Sequence, residues 1–318
     1  MARKTAMAQA DAVPTAAAAV PSAADRWWPW LMVAPAVLFL LAVVIVPMIF
    51  LVSTALYRQN LFQVSPAQFV GWDNFYYLFR SSRFHTAIGR MLSFAAIALS
   101  VEMVVGFLLA AWVFRLRDLP GMGLVRTLLT TPILVAPVVA AVMWRFMYQP
   151  DFGVLNAGLT ALGLPRVGWL SDPSIALLSV ALIDAWQWTP FVFLILLSGM
   201  YAVPRNLYEA AELDGAGALR TLVFITIPIL KRVLVIVLLL RAIDLLRAFE
   251  TIVATTQGGP GDATYTLPVM IWETAFVNFQ MGDAAAASIV LLVMVSVIIS
   301  ALLWVISRDG AIAGGQQR

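Results

Sequence analysis

Residues 209–228 read EAAELDGAGALRTLVFITIP, a polar segment punctuated by Gly215 and Gly217 that lies between two of the most apolar stretches of the chain. The composition agrees with those flanks: 62% of the 318 residues are hydrophobic, 12% are charged, and the mean hydropathy is +0.91. A soluble domain carries about a quarter charged residues. The chain therefore belongs to the integral membrane class, and its long apolar runs predict an all-α protein. A structured polar handle on such a protein offers a grip to another molecule.

Working outward, a helix needs about 20 mostly apolar residues to cross the hydrocarbon layer. Six segments qualify, over residues 30–51, 91–114, 124–147, 175–200, 233–249 and 284–306. Several carry Pro or Gly, which neighbouring helices can accommodate by satisfying the freed backbone groups. Lys and Arg near span ends set orientation. With the N-terminus in the cytoplasm, the inner side holds twelve of them, including Arg3, Lys4, Arg205, Arg220, Lys231, Arg232, Arg308 and Arg318. The outer loops hold Arg58, Arg80, Arg83, Arg90 and Arg166, so both termini are expected to be cytoplasmic. The division that follows is a disordered tail over 1–29, a transmembrane domain over 30–306 with the handle at 205–228, and a C-terminal tail over 307–318. A signal peptide is not favoured, because the N-terminal Ala run is short and weakly apolar.

Other classes lack support. Without cysteine there is no disulfide framework and no thiolate metal site. The net charge of +3 comes from scattered residues rather than a basic stripe, so no nucleic-acid partner is expected. Walker-type phosphate binding needs a Gly-rich loop followed by Lys, yet the two lysines, Lys4 and Lys231, stand in no such context. His85, the single histidine, reads as a surface residue beside Phe84. In the outer loops, the aromatic GWDNF region predicts a short helix at the membrane surface, and QGGPGD at 257–262 predicts a tight turn.

Within the handle, helix formers run from Asn206 to Ala216 and stop at the glycines. A second short helix is expected from Ala218 to about Ile225, ending before Pro228. Small alanines permit close approach, and Arg205, Glu209, Glu212 and Asp214 offer charged contacts. The bland alternative is an amphipathic connector resting on lipid headgroups.

The pattern Glu209, Ala210, Ala211, Gly215, Ile225, Ile227, Pro228 resembles the EAA loop of ATP-binding-cassette importer permeases, with Ile227 where the family usually has Leu. The QGGPGDATYTL and FVNFQMGDAAAASIVLL blocks resemble the carbohydrate branch, and the likeness runs from about Trp30 to Ile306. This resemblance implies the type I importer permease fold in a bacterial inner membrane. It implies a second homologous permease, a dimer of ATPase subunits that binds ATP and Mg and grips the handle, and an extracytoplasmic solute-binding protein. No cofactor is expected in the chain itself, and a carbohydrate-like solute is implied. Positions matching the substrate contacts of maltose-type permeases are Ile133, Pro137, Gln187, Trp188, Phe191, Arg241, Leu245 and Ala248.

Those positions also make chemical sense. Ionisable groups within a span face a bundle interior or an aqueous cavity by default. Arg241, Asp244 and Arg247 share one face of the fifth span, and Arg241 with Asp244 is expected either to form an internal ion pair or to line the pathway. Glu102 and Asp184 are further carboxylates inside spans, each able to pair with an arginine. Trp188 and Phe191 can stack on sugar faces, and Gln187 and Arg241 can bind hydroxyl or anionic groups. An ion-coupled secondary transporter is the alternative, but it leaves the handle without a role. A membrane enzyme would need a nucleophile, metal or acid–base set that does not stand out.

Overall fold

The computed structural model describes residues 23–60, 62 and 66–308. The expected N-terminal tail up to residue 22, with Arg3 and Lys4, and the C-terminal tail from residue 309, with Arg318, lie outside the described residues. The described residues divide into two compact units, one up to residue 51 and one from residue 52 onward.

Helix α1 (Ala23–Ala55) starts before residue 30, because Ala23 and Ala24 are strong helix formers and Asp25 suits a first turn. A minimal hairpin follows, β1 (Tyr57–Arg58) antiparallel to β2 (Gln68–Phe69), with Tyr57 opposite Phe69. The GWDNF region forms α2 (Asp73–Arg80), and Asn74 ties it to the end of α1 by donating to the Ala55 carbonyl at 2.8 Å. Helix α3 (Ser82–Arg115) begins early enough that Arg83 and Arg90 sit on the helix rather than in a loop.

The third apolar segment is not one rod. It divides into α4 (Met122–Thr130) with a 3-10 turn over Thr131–Leu134, and α5 (Pro137–Met147), bent by 97°. Pro137 forces Ala136 out of the helical region, and Val135 and Ala136 are extended. The carbonyl this frees on Val135 accepts a 2.6 Å hydrogen bond from Gln187 Nε2. Then come α6 (Val154–Ala161) and the long α7 (Ala176–Tyr201).

The handle consists of α8 (Arg205–Leu213), a turn, and α9 (Ala218–Thr221). Contrary to the expected stop before Pro228, α9 continues through a π-helical turn at Leu222–Thr226 into α10 (Ile227–Leu246). Proline is tolerated at the start of a helical segment, and the widened turn removes the usual i−4 pairing there. The fifth apolar rod thus spans Ala218–Leu246, earlier than its sequence pattern suggested. The chain ends through α11 (Glu250–Thr255), α12 (Leu267–Trp272) with a π turn at Glu273–Val277, and α13 (Met281–Arg308). Five described helices are long and apolar enough to cross a membrane, and six if the bent pair is one span.

The centre is the α3–α7 contact, where Ala95, Ala98, Gly106 and Ala110 face Ala181, Ala185 and Val192, all buried. Small residues let the two backbones approach. Two apolar clusters flank the middle of the bundle. One gathers Met91, Phe94, Val180, Leu245 and Ile252, the other Val113, Phe193, Leu196, Leu230 and Val237. The start of α3 meets the segment before α12 and the π turn that follows it. Arg83 bridges Asp262 and Glu273, each at 3.2 Å, and its guanidinium lies 3.9 Å from the Tyr265 ring centre. The Tyr265 hydroxyl donates to Glu273, and burial followed by this bond pushes its pKa up. The QGGPGD segment turns tightly, with positive φ at Gln257, Gly258, Gly261 and Asp262.

A methyl group at Gly106 would lie 2.8 Å from Val192 Cγ1 and 3.2 Å from the Phe193 nitrogen. Gly106→Ala is expected to lower stability by about 1–3 kcal/mol, seen as a lower melting temperature in detergent, and adding Val192→Ala, which keeps the Cβ that lies 2.9 Å from the new methyl, is expected to recover little of the loss.

Candidate functional site

Between the two apolar clusters sits a buried ion network that joins three helices. Glu102 from α3 meets Arg241 from α10 side-on: Nε donates to Oε2 at 2.6 Å and Nη2 to Oε1 at 2.8 Å. The same Nη2 donates to Asp184 Oδ2 from α7 at 2.7 Å. Arg241 is 1% exposed and Glu102 fully buried. A planar guanidinium matches a carboxylate edge in this two-bond geometry, which an ammonium group cannot reproduce.

The expected Arg241–Asp244 pair is the weakest contact of the set, at 3.7 Å. Asp244 lies on the same helix and is half exposed, whereas Glu102 and Asp184 approach from facing helices with little competition from water. Asp244 pairs more closely with Arg247, at 3.3 Å.

Beside the network opens a cavity of about 440 Å³. Of the positions singled out from sequence, Pro137, Trp188, Arg241, Asp244 and Ala248 line it, and Asp184, Arg247 and Glu250 join them. The Arg241 guanidinium stands 4.8 Å from the Trp188 ring centre, and Phe191 meets Trp188 edge-on at 6.3 Å. The remaining positions fall elsewhere. Gln187 is buried and holds the break in the third segment, Leu245 is buried in an apolar cluster, and Ile133 lies half-buried in the 3-10 turn. Trp186 packs edge-on against Trp144. His85 is exposed, its Nδ1 2.9 Å from the Ser81 carbonyl. Among the described residues, no group of three or more His, Asp or Glu is arranged to hold a metal ion.

The handle is built for contact. Arg205, Glu209, Ala210, Glu212 and Asp214 are exposed, while Ala211 packs inward at 6% exposure. Gly215 makes the turn at φ +72°, a left-handed conformation that side chains with a Cβ resist, and Pro228 is exposed near the start of α10. Leu213 is 90% exposed and Leu219 74%. Sequence patterns missed how the handle is fastened. Tyr208 packs its ring 5.3 Å from Phe114 at the end of α3 and sets its hydroxyl 3.4 Å from Thr226 Oγ1 in the π turn. The buried network was also missed as a unit, although one arginine and two carboxylates on three different spans already carry the needed charges.

Removing one member of a buried ion network leaves the others uncompensated, at a cost of about 3–5 kcal/mol. Arg241→Ala is therefore expected to destabilise the protein strongly in thermal unfolding. Replacing all three charges together, with Glu102→Leu, Asp184→Leu and Arg241→Met, is expected to restore much of the loss.

Comparison with known proteins places this architecture. Residues 102–308 match the family described as binding-protein-dependent transport system inner membrane component. The trehalose/maltose transport system permease protein MalF of Thermococcus litoralis is 34% identical over 269 residues, covering 84% of this chain and 89% of the relative. The trehalose transport system permease protein SugA of Mycobacterium tuberculosis is 31% identical over 293 residues, covering 92% of each. The sn-glycerol-3-phosphate transport system permease protein UgpA of Yersinia pestis is 33% identical over 233 residues, covering 72% and 77%. A crystal structure of a bacterial ABC transporter that imports the acidic polysaccharide alginate has the same fold, with a TM-score of 0.79 at 24% identity, over 90% of this chain and 97% of that one. The ion-coupled alternative gains nothing from these likenesses. The chain belongs to the family of binding-protein-dependent transport system inner membrane components, the membrane-spanning permease subunits of ABC importers.

Proposed function

We propose that this permease imports a carbohydrate-like solute across a bacterial inner membrane, with both termini and the handle on the cytoplasmic side. It forms the pathway with a second homologous permease. An extracytoplasmic binding protein delivers the solute, and a dimer of ATPase subunits binds ATP with its magnesium ion. Hydrolysis takes place on those subunits, and this chain carries no catalytic residue. Its relatives named for trehalose, maltose and glycerol phosphate support a sugar or polyol as cargo.

The observation that carries this reading is the connection between handle and bundle. Tyr208 touches both α3, through Phe114, and the rod that runs from Ala218 to Leu246, through Thr226. Those two rods bear Glu102 and Arg241 farther along. A displacement of α8 by a partner is thus applied to the two helices that the buried network locks to α7. Packed helices move as rigid bodies rather than deforming continuously, so motion at the handle becomes rearrangement around the cavity. The exposed face of Glu209, Ala210 and Leu213 combines charge, close approach and apolar area, the mixture a docking surface needs.

The test is solute-stimulated ATP hydrolysis and ATP-dependent uptake by the assembled importer in proteoliposomes. Glu209→Lys reverses an exposed contact charge, and Gly215→Val forces a β-branched residue into a left-handed turn. Each is expected to reduce uptake by about tenfold, equivalent to ~1.4 kcal/mol of lost coupling, with membrane insertion unchanged. Full stimulated hydrolysis and uptake in both variants would show that the ATPase engages another surface.

A further inference from the structure

Helix α2 turns Asn74 and Leu78 inward and leaves most of its aromatic side chains bare. Trp72, Tyr76 and Phe79 follow one another at spacings of four and three residues, which sets them along one stripe of the helix. Each is more than half exposed. Tyr77 beside them and Phe69 on β2 widen the same aromatic surface. Large rings left bare side by side mark a surface that meets something other than water. We infer that this face seats in the headgroup layer of the bilayer, where Arg80 holds the phosphate of an anionic phospholipid.

The place of α2 in the fold argues for lipid. Asn74 Nδ2 donates to the carbonyls of Ala55 and Tyr57 at 2.8 and 3.1 Å, where α1 ends. Gly282, at the start of α13, lies so near that a Cβ there would stand 2.9 Å from the same nitrogen. Ser81 closes α2 and at once caps α3 by accepting from the Phe84 N–H. Three rods long and apolar enough to cross a membrane therefore begin or end around this one short helix. That level is the border between hydrocarbon and headgroups. Trp and Tyr concentrate there because each joins an apolar ring to a polar N–H or O–H.

Arg80 supplies the charge. Its guanidinium lies 4.6 Å from the Tyr76 ring centre, and it has no ion-pair partner among the described residues. Stacking on a ring leaves the N–H edge of a guanidinium free for phosphate oxygens. Neighbouring Arg83, by contrast, is taken up by Asp262 and Glu273. From Tyr57 to Ser82 the chain carries Arg58, Arg80 and one acid, Asp73, so the element as a whole is cationic. Asp73 stands in the first turn of α2 and Arg80 in the last, about 10 Å apart along the axis. A negatively charged lipid surface attracts a cation so placed. Because Ser81 is shared, whatever holds α2 also holds the start of the rod that bears Glu102.

The chain has no cysteine, so Tyr77→Cys places a single thiol of this subunit on the bare face. It is labelled with the fluorophore NBD in the assembled importer, with cysteine-free partner subunits, in nanodiscs of phosphatidylethanolamine and phosphatidylglycerol. A spin label on the lipid headgroup is expected to quench the emission by about half, and one deep in the acyl chain about twofold less. At equal mole fraction, a label near the headgroup of phosphatidylglycerol is expected to quench about 1.5-fold more strongly than the same label on phosphatidylcholine. Arg80→Gln is expected to remove most of that preference. Trp72→Cys supplies a second position if Tyr77→Cys does not assemble. Emission quenched by aqueous iodide but not by lipid-borne labels overturns the inference, and so does emission that neither reaches because a protein partner covers the face. Equal quenching by the two lipids, or a preference that survives Arg80→Gln, overturns the assignment of an anionic lipid to Arg80.

Discussion

The bundle is organised around one side chain. Arg241 buries a full positive charge in the last two turns of α10 and is tolerated there only because α3 and α7 each bring a carboxylate to it. An uncompensated charge in such surroundings is strongly unfavourable, so the network dictates the rotation of all three helices about their own axes. Turning α10 by one residue would carry the guanidinium away from both partners. Apolar packing alone is less discriminating, since an aliphatic face fits several registers with little difference in energy. The two apolar clusters above and below the network supply adhesion, and the ion network supplies registration.

In the proposed function, that arrangement is what carries motion from the handle to the cavity. The path from α8 uses no long-range signal. It consists of an aromatic contact, one hydroxyl contact and two continuous rods that share an ion network. The π turn at Leu222–Thr226 lets the fifth rod carry Pro228 without breaking, so α9 and α10 remain one continuous rod. The third segment behaves in the opposite way. Pro137 breaks it, and Gln187 captures the carbonyl released at Val135, which holds the bend against the wall of α7. Two prolines thus have contrary effects, and the difference lies in what surrounds each: a widened helical turn at one, a side-chain donor at the other.

The same network also shapes the chemistry of the cavity. An arginine inside an apolar span suggests an anion site when read alone. Its partners take up Nε and Nη2, so this guanidinium holds three helices together.

Composition and pattern by themselves determined a good deal: a membrane-embedded helical protein, the approximate spans, the polar helical handle that carries Glu209 and its turn at Gly215. These follow from local physics, since hydrocarbon excludes unpaired backbone and polar residues wherever it meets them, and a glycine between helix formers ends a helix without outside help. The ends of the rods were less legible, because whether Pro137 or Pro228 interrupts a helix depends on partners distant in the chain. The pairing of Glu102 and Asp184 with Arg241, the fastening of Tyr208 between Phe114 and Thr226, and the set of residues that line the cavity were decided only by tertiary structure. Each joins residues from different helices, and the strength of a charge interaction depends on distance and burial, which no spacing along the chain specifies.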